Sequence, residues 1–108
     1  MIITDLDTIT EAGAFAPVLP ADHLANRIAI VQAVATGDPT AATVIVEGSL
    51  DGANWSILET HAFTADELTD LSALFYVSNK PAAYIRVSAS VLTFTTSGTL
   101  TVKVSDEV

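Results

Sequence analysis

The sequence predicts an all-β fold, an antiparallel β-sandwich or jelly-roll-like domain with one short helix and an extended N-terminal arm. About six or seven short apolar runs are separated by turn residues at intervals of roughly 8 to 12 positions. Several of these runs alternate apolar and polar residues with period two, which is the pattern of a strand buried on one face. Strands that follow one another without long helical segments favour a sandwich over a fold built from βαβ units.

The chain has 108 residues, which is the size of a single domain. We divide it into an N-terminal extended arm over residues 1–24 and a β-sandwich domain over residues 25–108. The arm follows neither the helical nor the strand period, and it is interrupted by Gly13, Pro17 and Pro20. A short strand over residues 2–9 remains an option. The arm could lie on its own domain or reach onto a neighbouring subunit.

The first run of the sandwich, residues 27–36, predicts a central strand because it is apolar on both faces. One face holds Ile28, Ile30 and Val34, and the other holds Ala29, Val31, Ala33 and Ala35. The alanines make a helix the alternative, but the β-branched residues favour a strand. Residues 37–39, Gly-Asp-Pro, then predict a turn.

Residues 42–50 and 55–63 predict a hairpin whose turn lies at Asp51 and Gly52. The first of these strands alternates apolar and polar residues, with Ile45 as the exception. The side chains expected to face inward are Val44, Val46 and Leu50.

A capping box precedes a short predicted helix over residues 65–71. Thr64 can accept a hydrogen bond from the backbone of Glu67, while the Glu67 side chain reaches back to Thr64. Phe63 can pack on Leu68 as a hydrophobic staple. The helix is too short to form a layer, so we expect it to close one end of the sandwich.

Three further strands are predicted over residues 74–78, 84–92 and 99–105, with turns at residues 79–81 and around residues 97–98. The residues expected to face inward are Ile85, Val87, Ala89, Val91, Leu100, Val102 and Val104. Arg86 points outward, where it could pair with Glu47 or Glu59.

The chain carries 13 acidic and 4 basic residues, for a net charge of -9. This charge repels phosphate backbones and anionic surfaces, so we expect neither nucleic acid nor a membrane as a partner. Hydrophobic residues make up 50% of the chain and charged residues only 16%, where about 25% is typical. A surface with so little charge predicts that other subunits cover part of it.

The sequence contains no cysteine, which excludes a disulfide framework, a thiolate nucleophile and a cysteine-bound zinc, and which fits folding in a reducing cytoplasm. The N-terminus has acidic residues where a secretion signal has basic ones. No apolar run approaches the roughly 18 residues of a membrane span. We therefore expect a soluble protein without a leader or a membrane anchor.

The loop of the predicted hairpin groups residues that a partner or a glycan could contact. Trp55 offers a ring for stacking, and Asp51 and Asn54 offer hydrogen bonds. Tyr84 is a further aromatic candidate. A structural interpretation is favoured, in which Asp51 shapes the turn, Asn54 caps backbone groups, and Trp55 packs with Ile57 at the end of the core.

No arrangement of residues predicts catalysis, a metal site or a cofactor. His23 and His61 match no metal-binding spacing and are expected to be exposed or hydrogen-bonded locally. A triad could be drawn from Ser49, His61 and Asp51, but no nucleophile elbow surrounds the serine. The paired acids fall in predicted surface segments and are Asp5 with Asp7 and Asp66 with Glu67. We expect a protein that is not an enzyme and binds no cofactor.

Two segments resemble the small β-sandwich virion proteins of tailed bacteriophages, which include capsid decoration (cement) proteins and related head, tail or neck components. The first segment is VEGSLDGANW, from Val46 to Trp55, and the second is SNKPAAYIRV, from Ser78 to Val87. The resemblance covers about residues 43–104 and implies that both segments form the body of a sandwich. Similar hairpins occur in discoidin-like and carbohydrate-binding sandwiches.

The resemblance implies a capsid decoration protein that is made in the host bacterial cytoplasm, is located in the virion and stabilises the shell by binding adjacent capsid subunits. Its expected partners are the major capsid protein or other virion proteins, and further copies of itself. A trimer is favoured, with a dimer as the alternative. Two other functions stay open: a carbohydrate-binding or host-adhesion module, and a tail, neck or baseplate component.

Overall fold

The structure, a computed structural model, describes residues 2–20, 28–78 and 83–106. This part of the chain forms β1 (Ile2–Ile9), β2 (Gly13–Pro20), β3 (Ile28–Ser49), β4 (Ser56–Ala62), α1 (Ala65–Asp70), β5 (Ser72–Ser78) and β6 (Tyr84–Asp106). Every strand pairing is antiparallel. The predicted all-β class with one short helix is confirmed.

Strands β3 and β6 pair with each other over nearly their full length, from Ala29 with Asp106 to Ser49 with Tyr84. They contain 22 and 23 residues. A straight strand of that length would measure about 70 Å at ~3.3 Å per residue. The longest dimension of the molecule is only 39 Å. The two long strands therefore bend together and fold the sheet back on itself.

The bend divides the sheet into two four-stranded halves, which we call the β5 half and the β4 half. In the β5 half the strand order is β1, β6, β3, β5, and in the β4 half it is β2, β6, β3, β4. Buried residues of both halves form one core cluster, so the halves face each other as the two layers of a sandwich. The smallest dimension, 19 Å, fits two layers about 10 Å apart.

The corner between the halves lies where Gly37 pairs with Gly98. Gly37 has a φ of 81°, and a Cβ at this position would overlap the carbonyl oxygen of Ser97. A Cβ at Gly98 would overlap the carbonyl oxygen of Thr36 and the ring of Phe94. Because backbone atoms occupy the space of both side chains, the corner requires glycine on each strand.

Polar groups hold the corner in place. Oδ1 of Asp38 accepts hydrogen bonds from the amides of Thr96 at 3.0 Å and Ser97 at 3.3 Å. The Thr96 amide is the main reason that the pKa of Asp38 lies below its ordinary value. The hydroxyls of Thr36 and Thr99 meet at 2.6 Å. The turns predicted at residues 37–39 and 97–98 are thus bends within continuous strands, because both strands bend at the same place and stay paired.

The strand alternation predicted most of the core correctly. The buried residues at predicted inward positions are Val31, Ala33, Ala35, Val44, Val46, Ile85, Val87, Ala89, Leu100, Val102 and Val104. The first sandwich run is confirmed as a central strand, because β3 pairs with β5 on one side and β6 on the other. On the opposite apolar face of this run, Val34 is 38% exposed.

Two residues predicted to face inward are exposed instead. Leu50 is 82% exposed because it lies beyond the end of β3. Val91 is 42% exposed because Ser90 is an extra residue in the ladder between Ala89 and Val91. Such a bulge reverses the alternation that follows it, and Leu92 accordingly packs against the core.

Within the predicted arm, residues 2–20 lie on the protein's own domain. β1 pairs with the last part of β6, and β2 pairs with the first part. The strand considered over residues 2–9 is confirmed. Leu6 is 7% exposed and Phe15 is 2% exposed, so both strands contribute to the core. Residues 21–24, the end of the predicted arm, lie outside the described residues.

The predicted capping box is confirmed. Thr64 Oγ1 accepts a hydrogen bond from the amide of Glu67 at 3.2 Å, and Glu67 Oε1 accepts one from the amide of Thr64 at 2.9 Å. The helix ends before Leu71, which has a left-handed conformation. Phe63 is buried, and Leu68 packs against the core cluster. Helix α1 connects β4 to β5 and therefore crosses from one half of the sandwich to the other.

Candidate functional site

The loop between β3 and β4 is held by hydrogen bonds among its own residues. The Oγ of Ser49, which is buried, accepts hydrogen bonds from the amides of Asp51 at 3.2 Å and Gly52 at 2.9 Å. It donates to Oδ1 of Asp51 at 2.9 Å. Asp51 also accepts from the amides of Ala53 at 2.8 Å and Asn54 at 2.9 Å, and from Nδ2 of Asn54 at 2.8 Å. We call this network of Ser49, Asp51 and Asn54 the loop clasp.

Asp51 is the centre of the loop clasp. The amide of Asn54 is the largest cause of a depressed pKa, and with the other donors of the loop it holds the pKa of Asp51 well below its usual range. A carboxylate offers about four acceptor positions, and donors of the same loop fill most of them here. The carboxylate therefore fixes the shape of its own turn and has little capacity left for a ligand.

Trp55 lies against Arg86 on the outer face of the β4 half. The guanidinium carbon of Arg86 is 4.5 Å from the centroid of the Trp55 ring, which is a cation–π distance. Nε of Arg86 donates to Oε1 of Glu47 at 3.0 Å, and the hydroxyl of Ser88 donates to the same oxygen at 3.3 Å. Of the two partners considered for Arg86, Glu47 is confirmed. One face of the indole is consequently occupied by a side chain of the protein.

Tyr84 begins β6 and pairs with Ser49 across the ladder. Its ring lies beside Gly52, 3.8 Å from the position that a Cβ would take there, and the residue is 40% exposed. An open groove of about 350 Å³ lies at the same end of the sandwich, lined by residues 48–51 with Asn54, Ser56 and Leu58. A groove of this volume is at the lower end of the range for small-molecule sites.

The structure brings the four predicted contact residues, Asp51, Asn54, Trp55 and Tyr84, to one end of the β4 half. Two details of the structural interpretation are wrong. The Asn54 side chain donates to Asp51, and among the described residues it caps no backbone group. Trp55 and Ile57 do not belong to the core, and Ile57 is 60% exposed. The reason is an extra residue in β4 at Leu58, which turns Leu58 inward in place of Ile57.

His61 belongs to a second polar cluster. Its Nε2 lies 2.9 Å from Oε1 and 3.0 Å from Oε2 of Glu67, and its ring stacks on Phe75 with centroids 5.0 Å apart. Burial tends to raise the pKa of Glu67, but the Thr64 amide and the His61 ring hold it below its ordinary value. Local hydrogen bonding is thus confirmed for His61, while His23 lies outside the described residues.

The triad drawn from Ser49, His61 and Asp51 does not come together. His61 pairs with Val44 across the ladder, and Ser49 lies five residues farther along β3. That separation is about 16 Å at ~3.3 Å per residue. Within residues 2–20, 28–78 and 83–106, no three His, Cys, Asp or Glu side chains are placed to hold a metal ion. Among the described residues, no helix is long and apolar enough to cross a bilayer.

Two features of this end of the molecule escaped the sequence analysis. The first is the stacking of Arg86 on Trp55. The expected pairing of Arg86 with Glu47 indicated the outward direction of Arg86 but not its contact with the indole. The second is the exposure of Leu50 and Ile57 on either side of the loop. Their exposure depends on where β3 ends and on the bulge in β4, and no local pattern marks either.

Comparison of the sequence with protein families and with curated proteins finds no match.

Proposed function

We propose that the protein is a non-enzymatic virion component of a tailed bacteriophage, namely a capsid decoration protein that stabilises the shell by binding adjacent capsid subunits. One observation carries the proposal. At the β3–β4 end of the molecule the polar groups bind one another, while the large apolar side chains beside them face solvent. The resemblance to small virion sandwiches supplies the class of assembly in which such a surface would be used.

The polar groups at this end already bind one another, which argues against a catalytic or ligand-binding site there. Catalytic and ligand sites need free polar groups that converge on a cavity. Asp51 is bound by donors of its own loop, and Arg86 is shared between Glu47 and the ring of Trp55. Groups that are occupied in this way stabilise the local backbone and offer few hydrogen bonds to a substrate.

The apolar side chains at this end form the proposed contact with the shell. Leu50 is 82% exposed, Ile57 is 60% exposed and Tyr84 is 40% exposed. We call these three residues the shell-contact surface. Exposed apolar surface is typical of sites of protein contact. The expected partner is an apolar protein surface, which on a phage head would be provided by subunits of the major capsid protein.

The test uses particles of the phage that encodes the protein. Heads produced without the protein are purified, and the purified protein is then added back. We expect saturable binding with a fixed number of copies per shell and a higher temperature of shell disruption. Failure to bind the bare heads, together with absence of the protein from heads of complete virions, would contradict the proposal.

The surface is tested with two matched double variants. Leu50→Lys with Ile57→Lys should weaken head binding by more than about tenfold, because both charges would have to be desolvated at the contact. Val18→Lys with Val91→Lys adds the same charge at other exposed positions, 49% and 42% exposed in the wild type. This control should bind like the wild type. Equal loss of binding in both double variants would place the contact elsewhere or reveal a general charge effect.

Deletion of the N-terminal segment does not separate binding from folding. Residues 1–24 include Leu6 and Phe15, which are buried in the core. Their removal would also expose the edge of β6 that β1 and β2 cover. A loss of head binding in this deletion would therefore follow from unfolding alone, and surface substitutions are the appropriate test.

A carbohydrate-binding or host-adhesion module is the second candidate, because Asn54 lines the groove of about 350 Å³ and the rings of Trp55 and Tyr84 lie at the same end of the β4 half. Trp55 is the only tryptophan of the chain, so its fluorescence reports on this site alone. A saturable fluorescence change on titration with bacterial surface glycans would favour this function over the first. No response, with intact binding to heads, would exclude it.

A further inference from the structure

Among the described residues, three of the four edge strands carry features that hinder pairing with another chain. Proteins protect exposed sheet edges with charged residues, prolines and bulges. Strand β1 contains two exposed acids and a register shift, β2 contains two prolines and a register shift, and β4 contains Glu59 and the bulge at Leu58. Each of these edges is therefore poorly suited to extending its half of the sandwich.

Strand β5 has none of these features. Its sequence, SALFYVS, contains no charged residue and no proline. It pairs with β3 in unbroken register from Ser72 with Val34 to Ser78 with Ile28. Among the residues that the structure describes, no strand pairs with its other side. An apolar edge without interruptions is the kind of edge that accepts another strand.

The backbone of β5 directs a regular set of groups toward this open side. The amide of Ala35 donates to the carbonyl oxygen of Leu71 at 2.8 Å, where β3 and β5 meet. Hydrogen-bonded pairs alternate along an antiparallel ladder. Residues 73, 75 and 77 therefore direct their backbone groups toward β3, and the residues that direct theirs toward the open side are Ser72, Leu74, Tyr76 and Ser78.

The sequence of β5 is also complementary to itself when read in the opposite direction. In an antiparallel pair centred on Phe75, Leu74 of one copy lies opposite Tyr76 of the other, Ala73 lies opposite Val77, and Ser72 lies opposite Ser78. Aliphatic residues opposite aromatic ones are favourable cross-strand pairs. Leu74 and Tyr76 are 64% and 62% exposed in the single chain, so this pairing would cover the most exposed apolar residues of β5.

We propose that β5 pairs with β5 of a second copy of this chain, antiparallel and centred on Phe75, to form a two-fold dimer. The ladder uses every open backbone group from Ser72 to Ser78 and joins the two β5 halves into one continuous sheet. Leu74 packs against the partner's Tyr76 and Tyr76 packs against the partner's Leu74. The same surface of each copy meets itself, so the interface closes as a dimer.

This inference does not depend on the proposed function, because it concerns the purified protein. The molar mass in solution is measured by light scattering over a wide range of concentrations. We expect the mass of a dimer at high concentration and dissociation on dilution. A monomer at every concentration would overturn the proposal, whatever the outcome of the head-binding test.

Two double variants place the interface. Leu74→Lys with Tyr76→Lys brings lysines opposite one another across the proposed ladder, and it should weaken dimerisation by more than about tenfold because like charges repel there. Both side chains are exposed in the single chain, so the sandwich should fold normally. Leu50→Lys with Ile57→Lys carries the same added charge on the other half and should remain dimeric. A dimer that tolerates the first pair of substitutions would refute the β5 interface.

Cysteine substitutions test the register, and the natural chain has no cysteine to interfere. Leu74→Cys and Tyr76→Cys chains mixed together place two cysteines directly opposite, about 5.5 Å apart between Cα atoms, where a disulfide can form. Either variant alone places its two cysteines on a diagonal about 7 to 8 Å apart, which is too far. We expect oxidation to link the mixture and neither variant alone. Efficient linking of a single variant, or none in the mixture, would contradict pairing centred on Phe75.

Discussion

The two halves of the sandwich are alike inside and different outside. Each half takes two of its four strands from β3 and β6, and each contributes alternating apolar residues to one shared core. On the outer side of the β4 half, the polar groups of the loop clasp and of the Glu47 and Arg86 pair bind one another. The β5 half ends instead in an edge strand with open backbone groups and exposed Leu74 and Tyr76.

This difference shows that the core and the contact surfaces are specified by separate residues of the same strands. The inward residues of β3 and β6 form the core that both halves share. Their outward neighbours and the edge strands determine which surfaces are available to a partner. A substitution at an inward position should therefore affect both halves through stability. A substitution at an outward position or on an edge should affect one half alone.

The largest effect is expected at the corner, where a single change would break both halves at once. Gly37→Ala introduces a Cβ that overlaps the carbonyl oxygen of Ser97 and places alanine at a φ of 81°. We expect a loss of more than about 4 kcal/mol in the free energy of unfolding, or failure to fold. Gly13→Ala is the control, because a Cβ at Gly13 has no atom within 4 Å.

The corner variants are compared by urea unfolding monitored by circular dichroism. The control should change stability by less than about 1 kcal/mol. Similar stabilities for Gly37→Ala and the wild type would mean that the two long strands do not bend where the structure places the corner.

The next largest effect tests whether the N-terminal strands are part of the core of the sandwich. Phe15 on β2 is 2% exposed, and Phe15→Ala should cost about 3 to 5 kcal/mol because it leaves a cavity among core side chains. Val18→Ala, on the same strand and 49% exposed, should cost less than about 1 kcal/mol. Calorimetric melting of both variants checks this difference. Equal small effects would indicate that β2 is a loosely attached arm.

A smaller effect is expected in the loop clasp, and it depends on pH. The pKa of Asp51 is lowered in the folded protein, so its contribution to stability is present above its unfolded pKa of about 4 and is lost as the pH falls through the folded value. Asp51→Asn should lower the melting temperature by a few degrees at neutral pH. The gap to the wild type should narrow below about pH 4, where the unfolded carboxyl becomes protonated.

Asp7→Asn is the matched control for the clasp, because Asp7 is exposed on β1. Its melting temperature should follow that of the wild type at neutral pH. A constant gap between Asp51→Asn and the wild type down to low pH would show that the carboxylate charge of Asp51 does not stabilise the loop.

The smallest effect concerns the outer face of the β4 half. Arg86→Lys keeps the charge but loses the planar contact with Trp55, so stability should fall by only about 0.5 to 1 kcal/mol. The fluorescence emission of the single tryptophan should change clearly, although the free energy of unfolding changes little. An unaltered spectrum would mean that Arg86 does not lie on the indole in solution.

Local signals in the sequence predicted local structure well. The capping box of Thr64 and Glu67 needs only four consecutive residues, and the hairpin around Asp51 and Gly52 combines a turn with two adjacent alternating strands. Most inward positions of β3 and β6 follow from period two alone. The same local patterns gathered the candidate site residues, since Asp51, Asn54 and Trp55 are neighbours in sequence.

Features that depend on pairing between residues far apart in the sequence could not be predicted from local patterns. The predicted turns at residues 37–39 and 97–98 carry ordinary turn residues, and their continuation as paired strands becomes visible only when β3 and β6 lie side by side. The bulges at Leu58 and Ser90 change which residues face inward without any change in composition. The exposure of Ile57 and Val91 follows from these bulges, which explains why both were assigned to the interior.

The contrast between the loop clasp, whose amides bind within one chain, and the open edge of β5 is tested most directly by amide hydrogen exchange at two protein concentrations. At high concentration, the amides of Leu74 and Tyr76 should be protected by the second copy, and dilution should remove that protection. The amides of Ala53 and Asn54, which donate to Asp51 within one chain, should exchange at the same rate at both concentrations. Fast exchange of Leu74 and Tyr76 at every concentration would contradict the account.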